Sequence, residues 1–513
     1  MLYLCLISMT HIARSSLIIA SFFAIDKVLG FIRQVLVARE FGLTYEIDVF
    51  NAANNIPDLL SALISGGALG VALIPVLSEY LEKRGRQACW ELFSRTLNLA
   101  FLVTGGISIL LAIFARPLVA NLIAPGFPLE QQALTAKVMR LDLIAITIFS
   151  ISGLLMAGLQ ANQHFLLPAM APAMYNLGQI FGVGVLAPET GMEIGPITLP
   201  AFGMGIYGLV YGVILGALLH LLIQIPGLIA YQFQWTGALD LHNPGLRQVL
   251  GLLGPRILTM FFLQIFFIAR DNLASRLDEG SVTALNYGWF IMQVPETLIG
   301  SALAIALLPT LSEIFARGDR DLFRQTVNNA VKVILALTLP SAALLAVGLG
   351  PVIPVVFGFD DQGSALVLWA TRAYLLGLMG HALLETAARS FYAQQDARTP
   401  LYLAALNAGV YIIAAVNLSD WLGTTGIALA NTTAFTLEAL LLLWLLNRRF
   451  PGVLKVGATL LRVSIGSLAG AALAFGVMQL PFPALLGSLA SLAAAGLLTL
   501  PFIWPEIKIL IKL

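Results

Sequence analysis

Hydrophobic positions in this chain come in runs of about 20 residues or more, the length at which a helix spans a bilayer. Glycine, proline and small clusters of charge break the runs. Read between those breaks, the pattern predicts spans over 14–40, 46–80, 90–122, 132–161, 165–187 and 201–232. Six more follow over 245–276, 281–315, 322–357, 364–394, 399–419 and 424–447, and a last pair over 457–479 and 483–511. The expected fold is all-α and polytopic, with about fourteen transmembrane helices.

The pattern repeats at a spacing of roughly 230 residues. GGALGVALIPVLSEY at 66–80 matches GSALAIALLPTLSEI at 300–314, and LFSRTLN at 92–98 matches LFRQTVN at 322–328. QHFLLPAMAPAMYN at 163–176 resembles QDARTPLYLAALN at 395–407, and Arg140 falls near the counterpart of Arg372. An even number of helices separates the copies, so the repeat is parallel. It predicts a six-helix lobe over 1–235, a second over 236–450, and two additional helices over 451–513. Transporters built on parallel repeats hold substrate between the halves near the midplane and alternate its access.

Composition agrees with a membrane protein. Hydrophobic residues make up 59% of the chain and charged ones 11%, against about 25% charged in soluble domains. A net charge of +1 gives no nucleic-acid footprint. Cys5 and Cys89 are too far apart to suggest a disulfide, and the five histidines lack zinc-ligand spacing. The opening MLYLCLISMTHIARSS has no basic residue before its apolar run, so it reads as a lead-in to the first span. Lys83, Arg84 and Arg86 share one turn, and Arg317, Arg320 and Arg324 another, where lipid headgroups are the expected contact. Arg389 and Arg398, then Arg448, Arg449 and Lys455, then Lys508 and Lys512, mark further ends of the same sign. The alternate loops APGFPLEQQ, APETGMEIGPITLP and GFDDQGS hold neither Lys nor Arg. Both termini are therefore expected in the cytoplasm, in keeping with an even number of spans.

Enzyme signatures are missing. No GxxxxGK[ST] loop occurs. GMGIYG at 203–208 fits a dinucleotide fingerprint literally but has no strand before it, and close helix packing by small residues is the better reading. The informative residues are charges inside spans, where each costs about 2.5–3.5 kcal/mol to insert. Asp26 and Arg33 are seven residues apart on nearly one face of the first helix, with Lys27 adjacent. An internal ion pair needs one cation, so two favour a cationic lining for an anionic substrate. Asp48 opens the second helix, as a cap or as the start of a polar face continued by Asn51, Asn54, Asn55 and Asp58. Pro57, Gly66 and Gly67 offer places for a gate to bend. Arg270 and Asp271, at the end of the seventh span, read as an interfacial pair or a second site. His381, one turn before Glu385, reads as a hydrogen-bonded packing feature, and Asn407 as a further buried polar candidate.

KVLGFIRQVLVAREFG, DVFNAANNIPDLL and GALGVALIPVLSEY together resemble the opening of the lipid II flippase family, the bacterial MurJ/MviN proteins. GSVTALNYGWFIMQVPETLIGSALAIALLPTLSE and SFYAQQDARTP resemble its later segments, so that the likeness covers about residues 20–450. The resemblance implies the multidrug/oligosaccharidyl-lipid/polysaccharide exporter fold, with the last two helices forming a groove for a lipid tail. It implies a transporter that flips undecaprenyl-diphosphate-linked disaccharide pentapeptide (lipid II) from the cytoplasmic to the periplasmic leaflet of the bacterial inner membrane. Implied partners are lipid II and membrane lipids, for a monomer associated with cell-wall synthesis machinery. Carried over by position, Lys27, Arg33 and Asp48 match charged positions of the family's site. With Asn55, Asp58, Ser61 and Arg270 they form the expected substrate site, and Asp26, Pro57, Gly66 and Gly67 the expected gate. Ser61 stands where the family often has an arginine, Trp289 and Phe290 where it has an acid–arginine pair, and Gly66 where it has a glutamate. The diphosphate clamp is then thinner, or rebuilt with Arg270. The resemblance also implies a possible sodium ion, held by Asp271 and Asn407 with Asn431 or Thr432, and Tyr411 stands where a second acid is expected. The rival readings are a flippase for another polyprenyl-linked oligosaccharide, a cation-coupled drug exporter, which would want acids in place of Lys27 and Arg33, and a glycan polymerase, which would want larger outward loops.

Overall fold

The computed structural model describes residues 11–62, 68–191, 193–194 and 197–510. The expected hinge residues Gly66 and Gly67 lie outside them. Helices dominate, and each expected span has a helical counterpart. In the first half these are α1 (His11–Phe41), α2 (Tyr45–Leu60), α3 (Ala68–Ile113), α4 (Ala115–Leu118), α5 (Leu129–Ala161), α6 (Leu166–Phe181), α7 (Ile206–Leu222) and α8 (Ile225–Ala230). A two-residue hairpin, Glu193–Ile194 against Ile197–Thr198, decorates the loop before α7. In the second half come α9 (Pro244–Ala274), α10 (Ser281–Glu296), α11 (Ala302–Ala316), α12 (Arg320–Gly348), α13 (Val352–Phe357), α14 (Asp361–Leu376), α15 (Leu378–Ala393), α16 (Arg398–Arg449), α17 (Gly457–Met478) and α18 (Ala484–Leu510). Among the described residues, eight helices are long and apolar enough to cross a membrane unaided, or nine if the bent α14–α15 pair is one span. Two of the expected turns are single glycines. Gly85 (φ 84°) splits α3 and Gly423 (φ 55°) splits α16, each in a left-handed conformation that other residues resist. Helix midpoints turn large apolar side chains outward, with Leu298, Leu468 and Ile413 73%, 71% and 68% exposed. Such faces suit lipid, and the chain is a multi-pass membrane protein.

Two compact units emerge, one up to Ile268 and one from Ala269 onward. Helix α9, expected to open the second lobe, thus runs through the division. Each unit has its own core. Leu73, Leu77, Phe93, Leu154 and Leu159 centre the first, and Phe323, Ile334, Phe391 and Leu442 the second.

The repeat is written in hydrogen bonds as well as letters. Arg140 Nε donates to the Ala112 carbonyl (2.9 Å), and Arg372 Nε donates to that of Ala346 (2.8 Å). Asn98 closes the LFSRTLN copy and Asn328 the LFRQTVN copy. The amide of Asn98 donates to the carbonyls of Thr236 and Ala238, and that of Asn328 to Val453, so each ties down the segment leaving its own bundle. Gln163 and Gln395, which open the third pair of copies, share a left-handed backbone (φ 60° and 61°). The following His164 and Asp396 amides donate back to the Leu159 and Phe391 carbonyls in the same way.

In the first unit α6 and α7 meet through glycines. An added Cβ at Gly178 would stand 2.3 Å from the Gly216 backbone, and one at Gly212 would stand 2.7 Å from Gly182. Gly208, the last glycine of GMGIYG, abuts the Ala187 backbone, so the small-residue packing expected for that motif is what the fold contains. The replacement Gly212→Val is expected to prise the two backbones apart at a cost of about 1–3 kcal/mol or more. A drop in the thermal unfolding temperature of the detergent-solubilised protein measures it, and an unchanged temperature contradicts the packing.

The C-terminal pair α17 and α18 packs on itself and on α12. Glu506 accepts from Arg462 Nη2 and from the Thr459 hydroxyl (3.1 Å), while Ala336, Val463 and Ile503 join the three helices.

Outside the spans, Asp396 sits in the turn between α15 and α16. Burial pushes its pKa up, but the Thr399 amide and hydroxyl (3.0 and 2.7 Å) and Arg449 (2.7 Å) outweigh it and hold the carboxyl below its usual range. A depressed folded pKa gives stability that is present above the unfolded value and lost as pH falls through the folded one. Asp396→Asn is therefore expected to lower the unfolding temperature at neutral pH. The difference from the parent should vanish in acid; a difference that persists there would refute it.

Candidate functional site

The expected charges of α1 are organised by a residue that the hydrophobic pattern conceals. Arg33 Nη1 donates to Asn176 Oδ1 (3.1 Å), and Asn176 Nδ2 donates to Asp26 Oδ1 (2.8 Å). Asp26 and Arg33 do share a face of α1, but they meet through a buried amide of α6 and make no direct pair. The Gly30 backbone lies between them, close to the same amide. Asn176 is 6% exposed, so the amide is fixed by packing and holds the half-buried guanidinium in place. Sequence reasoning passed over it. The signal was available, because Asn176 ends the copy whose counterpart ends in Asn407. Lys27 is exposed and has no ion pair among the described residues. An exposed ammonium and a positioned guanidinium on one helix are both donors suited to phosphate oxygens.

Helix α2 packs on α5 in the same unit. Thr44, and not Asp48, is its N-cap; Asp48 lies one turn inside, 3% exposed. Of the two readings of Asp48, the cap is thereby excluded, since its side chain is packed in the helix's first turn. Asn55 is buried, and its amide donates to the Ala52 carbonyl (3.2 Å). Pro57 is buried one turn before the helix ends, Asp58 beyond it is exposed, and Ser61 caps the C-terminus half-buried. Proline at that place removes a backbone donor, and the helix gives way to a wider π turn at Ser61. The charges of Arg33 and Asp58 both act on the phenol of Tyr175, the neighbour of Asn176 on α6. Arg33, Asp26 and Asp58 thus belong to one polar region of the first unit, joined through α6, and Lys27 follows Asp26 on α1.

The remaining candidates lie in the second unit. Arg270 is 5% exposed and Asp271 fully buried, and the two form an ion pair. Arg270 Nε donates to Asp271 Oδ1 and its Nη2 to Asn286 Oδ1, both at 2.7 Å. The side chains expected around sodium each have a partner of their own. Asp271 has Arg270, Asn407 donates to Glu438 (2.5 Å), Asn431 meets the His381 ring (3.0 Å), and the Thr432 hydroxyl donates to the Ala373 carbonyl (2.6 Å). Tyr411 is buried within reach of the Arg270 and Asp271 charges. A guanidinium already neutralises the one acid of that set. His381 does not bond Glu385, which pairs with Arg389 (3.3 Å); its ring packs against Trp289 and Phe435. The packing reading of that histidine holds.

The family model described as lipid II flippase MurJ matches residues 37–490. A lipid II flippase MurJ of Burkholderia cenocepacia is 30% identical over 477 residues, 90% of this chain and 88% of that protein. A probable lipid II flippase MurJ of Rhizobium meliloti is 27% identical over 422 residues, covering 81% and 77%. Among solved structures, a lipid II flippase MurJ in an inward closed conformation superposes with a TM-score of 0.79 at 24% identity, over 96% of this chain and all of that one. An inward-facing multidrug resistance MATE family transporter of the MOP superfamily reaches 0.68 at 14% identity, covering 84% and 96%. The two similarities in fold extend across both compact units, as does the family match, and the chain belongs to the lipid II flippase MurJ family.

Proposed function

We propose that this protein carries lipid II across the bacterial plasma membrane, from the cytoplasmic to the periplasmic leaflet, by alternating access. It is a transporter and not an enzyme. The family match over residues 37–490 carries the reading. The site geometry supports it. The diphosphate of lipid II brings about two negative charges, and the first unit offers Lys27 exposed and Arg33 braced by Asn176. Charge-assisted contacts of this kind strengthen away from bulk water. Pro57 and the turn at Ser61 give α2 a place to bend as access changes. Both termini face the cytoplasm in this reading, because the basic turns gather on one side.

Complementation tests it. Expressed in bacteria depleted of their own lipid II flippase, the chain is expected to sustain growth. Lysis despite full expression, in a host whose own pentapeptide the chain is shown to bind, would shift the substrate to another polyprenyl-diphosphate-linked oligosaccharide.

A further inference from the structure

Asp142 lies inside α5 in the run LDLIAI. It is 1% exposed, and both carboxyl oxygens are buried with no hydrogen-bond partner among the described residues. The elements packed around α5 explain why. From α3 come the Ala112 carbonyl, taken by Arg140, and the Ser108 hydroxyl, taken by Thr147. From α7 come Val213 and Ala217, packed on Ala145 one turn away. From α6 comes the phenol of Tyr175, on which Arg33 acts in turn. From α2 comes Asp58, whose charge is the one that bears on Asp142, and it is negative. On α5 itself, Arg140 is turned away to α3.

A carboxylate taken out of water costs several kcal/mol even after the protein relaxes, and attraction to a cation or a set of donors normally offsets this. Here no donor bonds either oxygen, and the neighbouring charge repels. A carboxyl in such a place sheds its charge by keeping a proton. An alkali cation would need a shell of oxygens, whereas Ala145, Val213 and Ala217 offer hydrocarbon.

We propose that Asp142 is a proton-binding site of the first unit, loaded while α2 is packed on α5 and emptied when that contact opens. The chemistry is a simple proton transfer: the O–H bond of the carboxyl breaks, water takes the proton, and the carboxylate left behind is hydrated. The hinge at Pro57 and Ser61, next to Asp58, is the part of α2 whose bending would admit that water. The site is independent of which substrate the protein carries.

Infrared difference spectra of the full-length protein in lipid nanodiscs test this. At neutral pH the wild type should show the C=O stretch of a protonated carboxyl, missing from Asp142→Asn and indifferent to replacing choline with sodium. Absence of that band from folded wild type would overturn the proposal. A band abolished by sodium would also overturn it, making the site one for an alkali cation. Should Asp142→Asn fail to fold, titration of the wild type decides. The band should fade in alkali, and Asp58→Asn, by removing the repelling charge, should make it fade at lower pH. An unmoved midpoint would overturn the coupling to α2.

Discussion

Replacing both Lys27 and Arg33 with alanine is expected to abolish rescue of flippase-depleted bacteria while leaving expression intact. Hydrogen bonds to charged groups are worth about 1.5–3 kcal/mol each. Losing two such contacts to a diphosphate should therefore cost about a hundredfold or more in transport. The two single variants should differ. Lys27 is exposed and unpaired among the described residues, so Lys27→Ala removes a charge and disturbs little else. Arg33→Ala also strips a partner from Asn176 and loosens the link to Asp26. The check is growth at matched membrane levels of the protein, followed by flipping of labelled lipid II in vesicles. Full rescue by the double variant would retain the family and discard this site.

The second large effect concerns stability. Arg270 and Asp271 are almost wholly buried, with side-chain exposures of 7% and 1%. Removing either partner of a buried pair strands a charge and costs about 3–5 kcal/mol, whereas replacing both by apolar groups of similar volume is often neutral. Asp271→Ala should thus unfold at a markedly lower temperature, and Arg270→Met/Asp271→Leu should recover most of the loss. Equal damage from the single and double changes would mean that the pair's links to Asn286 and its neighbours matter more than its charge balance.

The fold was legible because its two main signals, long apolar runs and the internal repeat, are properties of sequence order. The spans at 132–161 and 457–479 differ from helices α5 and α17 by only a few residues. The site was legible where charge stood out against apolar surroundings, at Asp26, Lys27 and Arg33. It was obscured wherever function depends on what a helix faces. Asn176 is uncharged and sits among small and apolar residues, so only its alignment with Asn407 could have flagged it. The two asparagines play matching parts, each donating its amide to a carboxylate, Asp26 in one unit and Glu438 in the other. Asp142, Glu438, Arg462 and Glu506 are single charges in apolar helices and were visible as such. Their partners, or the want of one, depend on packing between helices that sequence order does not state.

The clasp between α17 and α18 bears on how the chain is made. Arg462 and Glu506 are each a poor passenger for a helix entering lipid alone, at about 2.5–3.5 kcal/mol on insertion scales. Joined, with Thr459 as a third contact, they present the bilayer with a hairpin whose charges cancel. Glu506 follows Arg462 by 44 residues, so Arg462 leaves the ribosome well before its counterpart. The first helix of the pair must then wait at the insertion machinery, sheltered by protein, until α18 has been made. The pair is accordingly released into the bilayer as a two-helix cassette, with α12 as its landing strip.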